Sequence, residues 1–123
     1  MIETIIKKLL EDAAVKGMVG NNIHVLRVPQ NESYPAIVLT NVSKIPGQTK
    51  SAQLPLDRNR LQVDCYDPSP IRANALSQIV RASLHGYKTA DISRVYLDNE
   101  HHDYIDESAL AVNRADYIVI TNN

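Results

Sequence analysis

Ten consecutive residues, Leu97-Asp98-Asn99-Glu100-His101-His102-Asp103-Tyr104-Ile105-Asp106, hold four carboxylates and two adjacent histidines. Imidazole and carboxylate are zinc ligands and the usual acids and bases of hydrolysis. A small metal-dependent hydrolase using His101 and His102 would therefore centre on this stretch. Direction decides against it. In an extended strand successive side chains alternate between faces, so His101 and His102 diverge. Asp98, Glu100 and His102 would share a face, but neighbours along it lie about 6.5 to 7 Å apart and the outer two about 13 Å apart. Both cannot reach one zinc at about 2 Å. A turn inside the stretch would relax that limit and bring in Asp103 or Asp106. The expected reading is a solvated, charged hairpin at the end of a strand, whose histidines and acids could form a pH-sensitive rim against a neighbour. No metal and no catalytic residue is assigned.

The rest of the chain adds no catalytic constellation. A Gly-rich phosphate loop, a GxSxG elbow, an HExxH pair and EF-hand spacing are all missing from the sequence. Nothing in the spacing brings His24, His85, His101 or His102 to a serine. Cys65 is the only cysteine, so there is no intrachain disulfide and no Cys-cluster zinc site, and it reads as a small buried apolar side chain. No cofactor is implied. With 13 basic against 14 acidic residues, the charge gives no case for free-standing nucleic-acid or anionic-membrane binding. Without Trp or Phe, platforms for stacking bases are few. No apolar run approaches the roughly 18 residues that would span a bilayer, so the protein is expected to be soluble and intracellular when made.

The elements that must position these residues follow from periodicity. Ile2, Ile5, Ile6, Leu9, Leu10 and Ala13 fall on one stripe of an N-terminal helix, which Gly17 and Gly20 would end. Residues 22–28 read as a short strand stopped by Pro29. Residues 34–42 contain the continuous apolar run Ala36-Ile37-Val38-Leu39, typical of a central strand covered on both faces. In residues 60–66, Leu61, Val63 and Cys65 alternate with Gln62, Asp64 and Tyr66. Ser69 is a good N-cap with Pro70 at the first helical position, and Leu76, Ile79, Val80 and Leu84, helped by Ala75 and Ser83, give the second helix its buried stripe before Gly86 stops it. Residues 92–97 and 110–121 are the last strands. Residues 43–57, with two prolines and one glycine, form a long irregular loop, unusual in a compact domain unless functional.

Strands joined largely without intervening helices predict one α+β domain over residues 1–123: two layers, a mixed or mainly antiparallel sheet of about five strands, and two helices packed on one face. The other face is left to explain. On the final strand Ala111, Ala115, Tyr117 and Val119 fit the covered side, which puts Arg114, Asp116, Ile118 and Ile120 on the opposite one. Isoleucines beside charges there suggest a surface meant for another chain.

In this order, the amphipathic helix MIETIIKKLLEDAAV, the strand RLQVDCYD leading into a helix with ALSQIVRASLHGY, then VYLDNEHHDYIDES and the closing strand ADYIVI resemble the tail-completion or tail-terminator proteins of tailed bacteriophages, the group that includes minor tail protein U of lambda-like phages. The resemblance covers nearly the whole chain and lies in the relation of its parts. It implies a structural protein, made in the host cytoplasm and then carried in the virion tail. Such proteins form a homo-oligomeric ring, usually a hexamer, on the head-proximal end of the tail tube. They stop tube polymerisation and present a surface to the head-tail connector. DNA would pass through the ring without specific binding. The alternative within the same assembly is another connector or tail-tube component.

The residues expected to contact a neighbouring subunit or the tail tube are Lys44, Gln48, Lys50 and Gln53 of the long loop, and Gln62, Asp64, Arg114, Asp116, Ile118 and Ile120 of the open face. Loop against face would make a contact between unlike patches, as ring closure requires.

Overall fold

The computed structural model describes residues 1–29, 33–47 and 56–122. The N-terminal helical segment is two helices, α1 (Ile2–Glu11) and α2 (Ala13–Val19). Asp12 divides them: its backbone is extended, and its carboxylate accepts hydrogen bonds from the N–H groups of Ala14 and Val15 at 2.9 and 3.2 Å. An N-cap thus sits where a continuous stripe was expected. The restart rotates the faces, so Ala13 is exposed while Val15 and Val19 are buried. The third helix, α3 (Pro70–Leu84), starts as predicted on Ser69, whose side chain accepts from Arg72 N–H. It stops before Gly86, which takes the left-handed conformation at φ 72°. Ala75, expected in its buried stripe, faces solvent, and Ala73 and Ser77 take buried places.

Five strands form one mixed sheet: β1 (Ile23–Val25), β2 (Ala36–Ile45), β3 (Leu56–Asp67), β4 (Ile92–Ile105) and β5 (Leu110–Asn122), in the order β1-β2-β3-β5-β4. Only β1 pairs parallel, with β2. The three-strand centre is antiparallel, and β4 closes back on β5 through a turn at residues 106–109. All three helices contribute to the cover of one face. Ile5, Leu9, Val15, Leu76, Val80 and Leu84 pack with Ile37, Leu39, Leu61, Val63, Cys65, Val95, Ala115, Tyr117 and Val119. Fully burying side chains of this kind contributes about 1.5–3 kcal/mol each. The run Ala36-Ile37-Val38-Leu39 is buried on both sides, as its continuity predicted.

Three strands outrun their predicted ends. β2 reaches Ile45 across a bulge between Asn41 and Ser43, and β3 begins at Leu56, so the ends of the expected 43–57 loop are a strand-paired arm. Gly47 is fixed there by contact: a Cβ on it would lie 2.2 Å from the carbonyl oxygen of Leu56. Gln48, Lys50 and Gln53 lie outside the described residues. β4 was expected to stop at Leu97 but continues to Ile105, so most of LDNEHHDYID is strand.

Candidate functional site

On the face without helices, side chains from β2, β3, β5 and β4 line up in cross-strand rows. From the β4–β5 turn downwards these are Ala36, Tyr66, Val112 and Asp103; Val38, Asp64, Arg114 and His101; Thr40, Gln62, Asp116 and Asn99; Ser43, Arg60, Ile118 and Tyr96; and Ile45, Arg58, Ile120 and Arg94. Strand alternation puts them here because their neighbours in sequence face the helices. Six of the predicted interface residues, Gln62, Asp64, Arg114, Asp116, Ile118 and Ile120, are therefore brought together on two adjacent strands. Lys44 stands apart on the arm, where its Nζ lies 3.1 Å from the carboxylate of buried Asp57. The same carboxylate accepts from Gly47 N–H at 3.1 Å.

The middle of this face pairs its charges within the sheet. Arg60 Nη1 meets Asp98 at 3.0 Å and Asp116 at 3.6 Å. Gln62 Nε2 donates to both oxygens of Asp64 at 3.0 Å, and Arg114 Nε approaches Asp64 at 3.9 Å. Burial pushes the Asp64 carboxyl above the usual aspartate value, with Gln62 and Arg114 opposing the shift. Tyr66 beside it is raised for the same reason, with the Asp64 charge adding to the effect. Ile118, expected to be exposed, is 1% accessible. The correction has a local cause: Arg60 and Tyr96 stand on its two sides, and long side chains of this kind cover apolar surface with their stems and rings. Ile120, one row lower, stays partly open. Arg60 and the Arg94–Tyr96 stack, with the guanidinium 4.7 Å from the ring centre, were not picked out from sequence, and Asp98 was read only as part of the histidine-acid stretch. Alternation through β3 would have found Arg60. The other three depend on the register of β4.

That register separates the histidine-acid stretch further than alternation alone. His101 faces Arg114 on the open side, and His102 faces Asn113 on the helix side. A bulge between Leu97 and Asn99 turns Asp98 to Arg60 on the open face, so Asp98 does not share a face with Glu100 and His102 as simple counting suggested. Glu100 and His102 instead surround fully buried Asn113. The Asn113 Nδ2 donates to Glu100 Oε1 at 2.9 Å and Asn74 Oδ1 at 3.3 Å, and lies 3.1 Å from His102 Nδ1. Among the described residues, no three of His, Cys, Asp or Glu converge on a point that could hold a metal ion. Cys65 is fully buried and its thiol pKa is pushed up by that burial, leaving it without the thiolate character of a nucleophile.

The chain is thus a two-layer α+β unit with a long, internally paired open sheet face. A chain in the solved structure "Virion of native gene transfer agent (GTA) particle" shares the fold at a TM-score of 0.74 and 10% identity, with 97% of this chain and 92% of that chain covered. The family model described as Tail completion protein gp17 matches residues 3–121. The chain belongs to that family and is a structural protein of the phage tail. No curated protein matches it. Among the described residues no helix is long and apolar enough to cross a membrane.

Proposed function

We propose that the protein closes a homo-oligomeric ring, a hexamer, on the head-proximal end of the tail tube, where it stops tube polymerisation and joins the tail to the head connector. The observation that carries this reading is membership of the tail-completion family over residues 3–121, on a fold that leaves one whole sheet face without helices. The open face, with Gln62, Arg114, Asp116 and Ile120 at its surface and Asp64 and Ile118 beneath, and the arm carrying Lys44 with the following Gln48, Lys50 and Gln53, are the surfaces offered to a neighbouring subunit or the tube. Assembly takes place in the host cytoplasm, and the finished protein travels in the virion tail. DNA passes through without specific binding: near-neutral charge suits that role, because each additional phosphate contact increases salt-sensitive retention.

The test is to add labelled protein to purified tail tubes and image them by negative-stain microscopy. Density at one end only, with tubes that no longer elongate, is the expected result. Label along the tube would make the protein a tube component, and label on free connectors a connector component. Failure to bind tubes, with a strictly monomeric species at high concentration, would overturn the ring.

A further inference from the structure

The centre of the open face is internally paired, but its two ends are not, and they differ in sign. At the lower end Arg58 and Arg94 flank Ile120 in one row. Among the described residues neither arginine makes an ion pair, Arg94 lying over the Tyr96 ring instead. Beside them Ile45 is 62% exposed and Leu56 45% exposed. At the upper end, the β4–β5 hairpin carries Asp103, Asp106 and Glu107, with Tyr104, 47% exposed, on the opposite face of β4 from Asp103. Residues 103–112 include no lysine or arginine, and among the described residues these three acids make no ion pair. From Ile120 to Leu110 the strand rises about 33 Å at about 3.3 Å per residue. That exceeds a Debye length of about 8 Å several times over, so the two ends do not neutralise each other within one chain.

We propose that the acidic β4–β5 hairpin of one copy docks on the arginine-flanked apolar end of the next copy's open face. The chemistry matches on both counts. Carboxylates of Asp106 and Glu107 meet Arg58 and Arg94, and the Tyr104 ring meets Ile45, Leu56 and Ile120. Unlike ends attract in two arrangements: an antiparallel two-fold pair, which stops at a dimer, and a head-to-tail contact, which repeats and closes into a ring. The head-to-tail contact is the one the ring uses, and sedimentation separates it from the dimer by size. The inference rests on the ring reading and names the contact that makes the ring. It moves that contact from the paired centre of the face to its unpaired ends.

Two charge-reversal variants test it: Arg58→Glu with Arg94→Glu, and Asp106→Lys with Glu107→Lys. All four side chains are exposed, so folding is expected to be unchanged, and circular dichroism checks it. In sedimentation velocity, each variant alone should lose association by at least about tenfold relative to wild type. An equimolar mixture should regain it, because contacts between the two variants pair either two unreversed ends or two reversed ends, and both pairings bring opposite charges together. Wild-type assembly should also weaken as salt rises. Wild-type oligomers that both variants form equally well would overturn the inference while leaving the ring intact. Variants that lose assembly but fail to recover on mixing would overturn the pairing of these two ends. Wild type that stays monomeric and leaves tubes uncapped would overturn the ring, and this contact with it.

Discussion

On the helix-covered face, β2, β3 and β5 present Ile37, Leu39, Leu61, Val63, Cys65, Ala115, Tyr117 and Val119; on the open face the same strands present Val38, Gln62, Asp64, Arg114, Asp116 and Ile118. The first set is held by apolar contact with three helices. The second is held by rows of paired charge, with a few buried aliphatic groups beneath the longer side chains. One face thus stabilises the monomer through apolar burial, while the other holds its charges in pairs within the sheet. Buried apolar area should therefore dominate folding, and charge should dominate association.

Truncation of one side chain on each face gives the sharpest contrast. Leu76 of α3 is fully buried against the sheet, and Leu76→Ala should cost about 2–5 kcal/mol in urea unfolding, since it removes buried methyl groups and leaves a cavity. Ile120→Ala on the open face should cost about 1 kcal/mol, because its side chain is already partly in water. Equal losses would show that the open face is a second core, and the comparison would fail.

The polar exception on the helix side comes next in size. Asn113 is fully buried and holds Asn74, Glu100 and His102 around it, tying β5 to α3 and β4. Asn113→Ala should cost about 1–3 kcal/mol, the range for removing one partner of a buried hydrogen-bonded group. A variant of unchanged or higher stability would show that the cluster serves another purpose than holding β4 down.

Alternation made the faces of β3 and β5 legible in the sequence, because each strand has one face covered and a two-residue period survives over its whole length. The start of α3 was legible for a local reason, Ser69 before Pro70. Four features were not. Asp12 interrupts an apolar stripe that periodicity alone carries through, since its carboxylate caps the backbone N–H groups of Ala14 and Val15 and leaves the apolar spacing unchanged. β4 could not be extended to Ile105, because as an edge strand rich in charge it lacks the apolar signal that marks a strand, and its pairing comes from β5. The bulge at Asp98 moves a carboxylate to the other face, a register decision that only the partner strand makes. Arg58 and Arg94 were missed for the same reason: they become a pair only when three strands align.

Asp64 tests the cost of charge on the open face. Its folded-state pKa is raised by burial, so the ionised form is penalised on folding. That penalty is complete above the folded pKa and fades as pH falls through it to below the ordinary value of 3.8. Asp64→Asn should then match or exceed wild-type stability near about pH 7, with the advantage shrinking toward about pH 3, as read from urea midpoints across the range. A variant that is weaker at neutral pH, with the gap closing on acidification, would mean that Arg114 and Gln62 outweigh desolvation and that the centre of the face is a stabilising network.

The smallest effect is expected for Arg60, and it bears most directly on whether the open face is self-sufficient. Arg60 and Asp98 are each about a third exposed, at 34% and 37%, so water screens the pair despite its 3.0 Å distance. A double-mutant cycle between Arg60→Ala and Asp98→Ala should give a coupling of about 0.2–1 kcal/mol in the monomer. Some loss from Arg60→Ala alone will come from uncovering Ile118, which the cycle subtracts. If a subunit or tube covers this face, the same cycle measured on assembly should give a larger coupling, because excluding water strengthens the pair. Equal couplings in folding and assembly would mean that the Arg60 row stays wet in the virion, and would confine the contact to the two ends of the face.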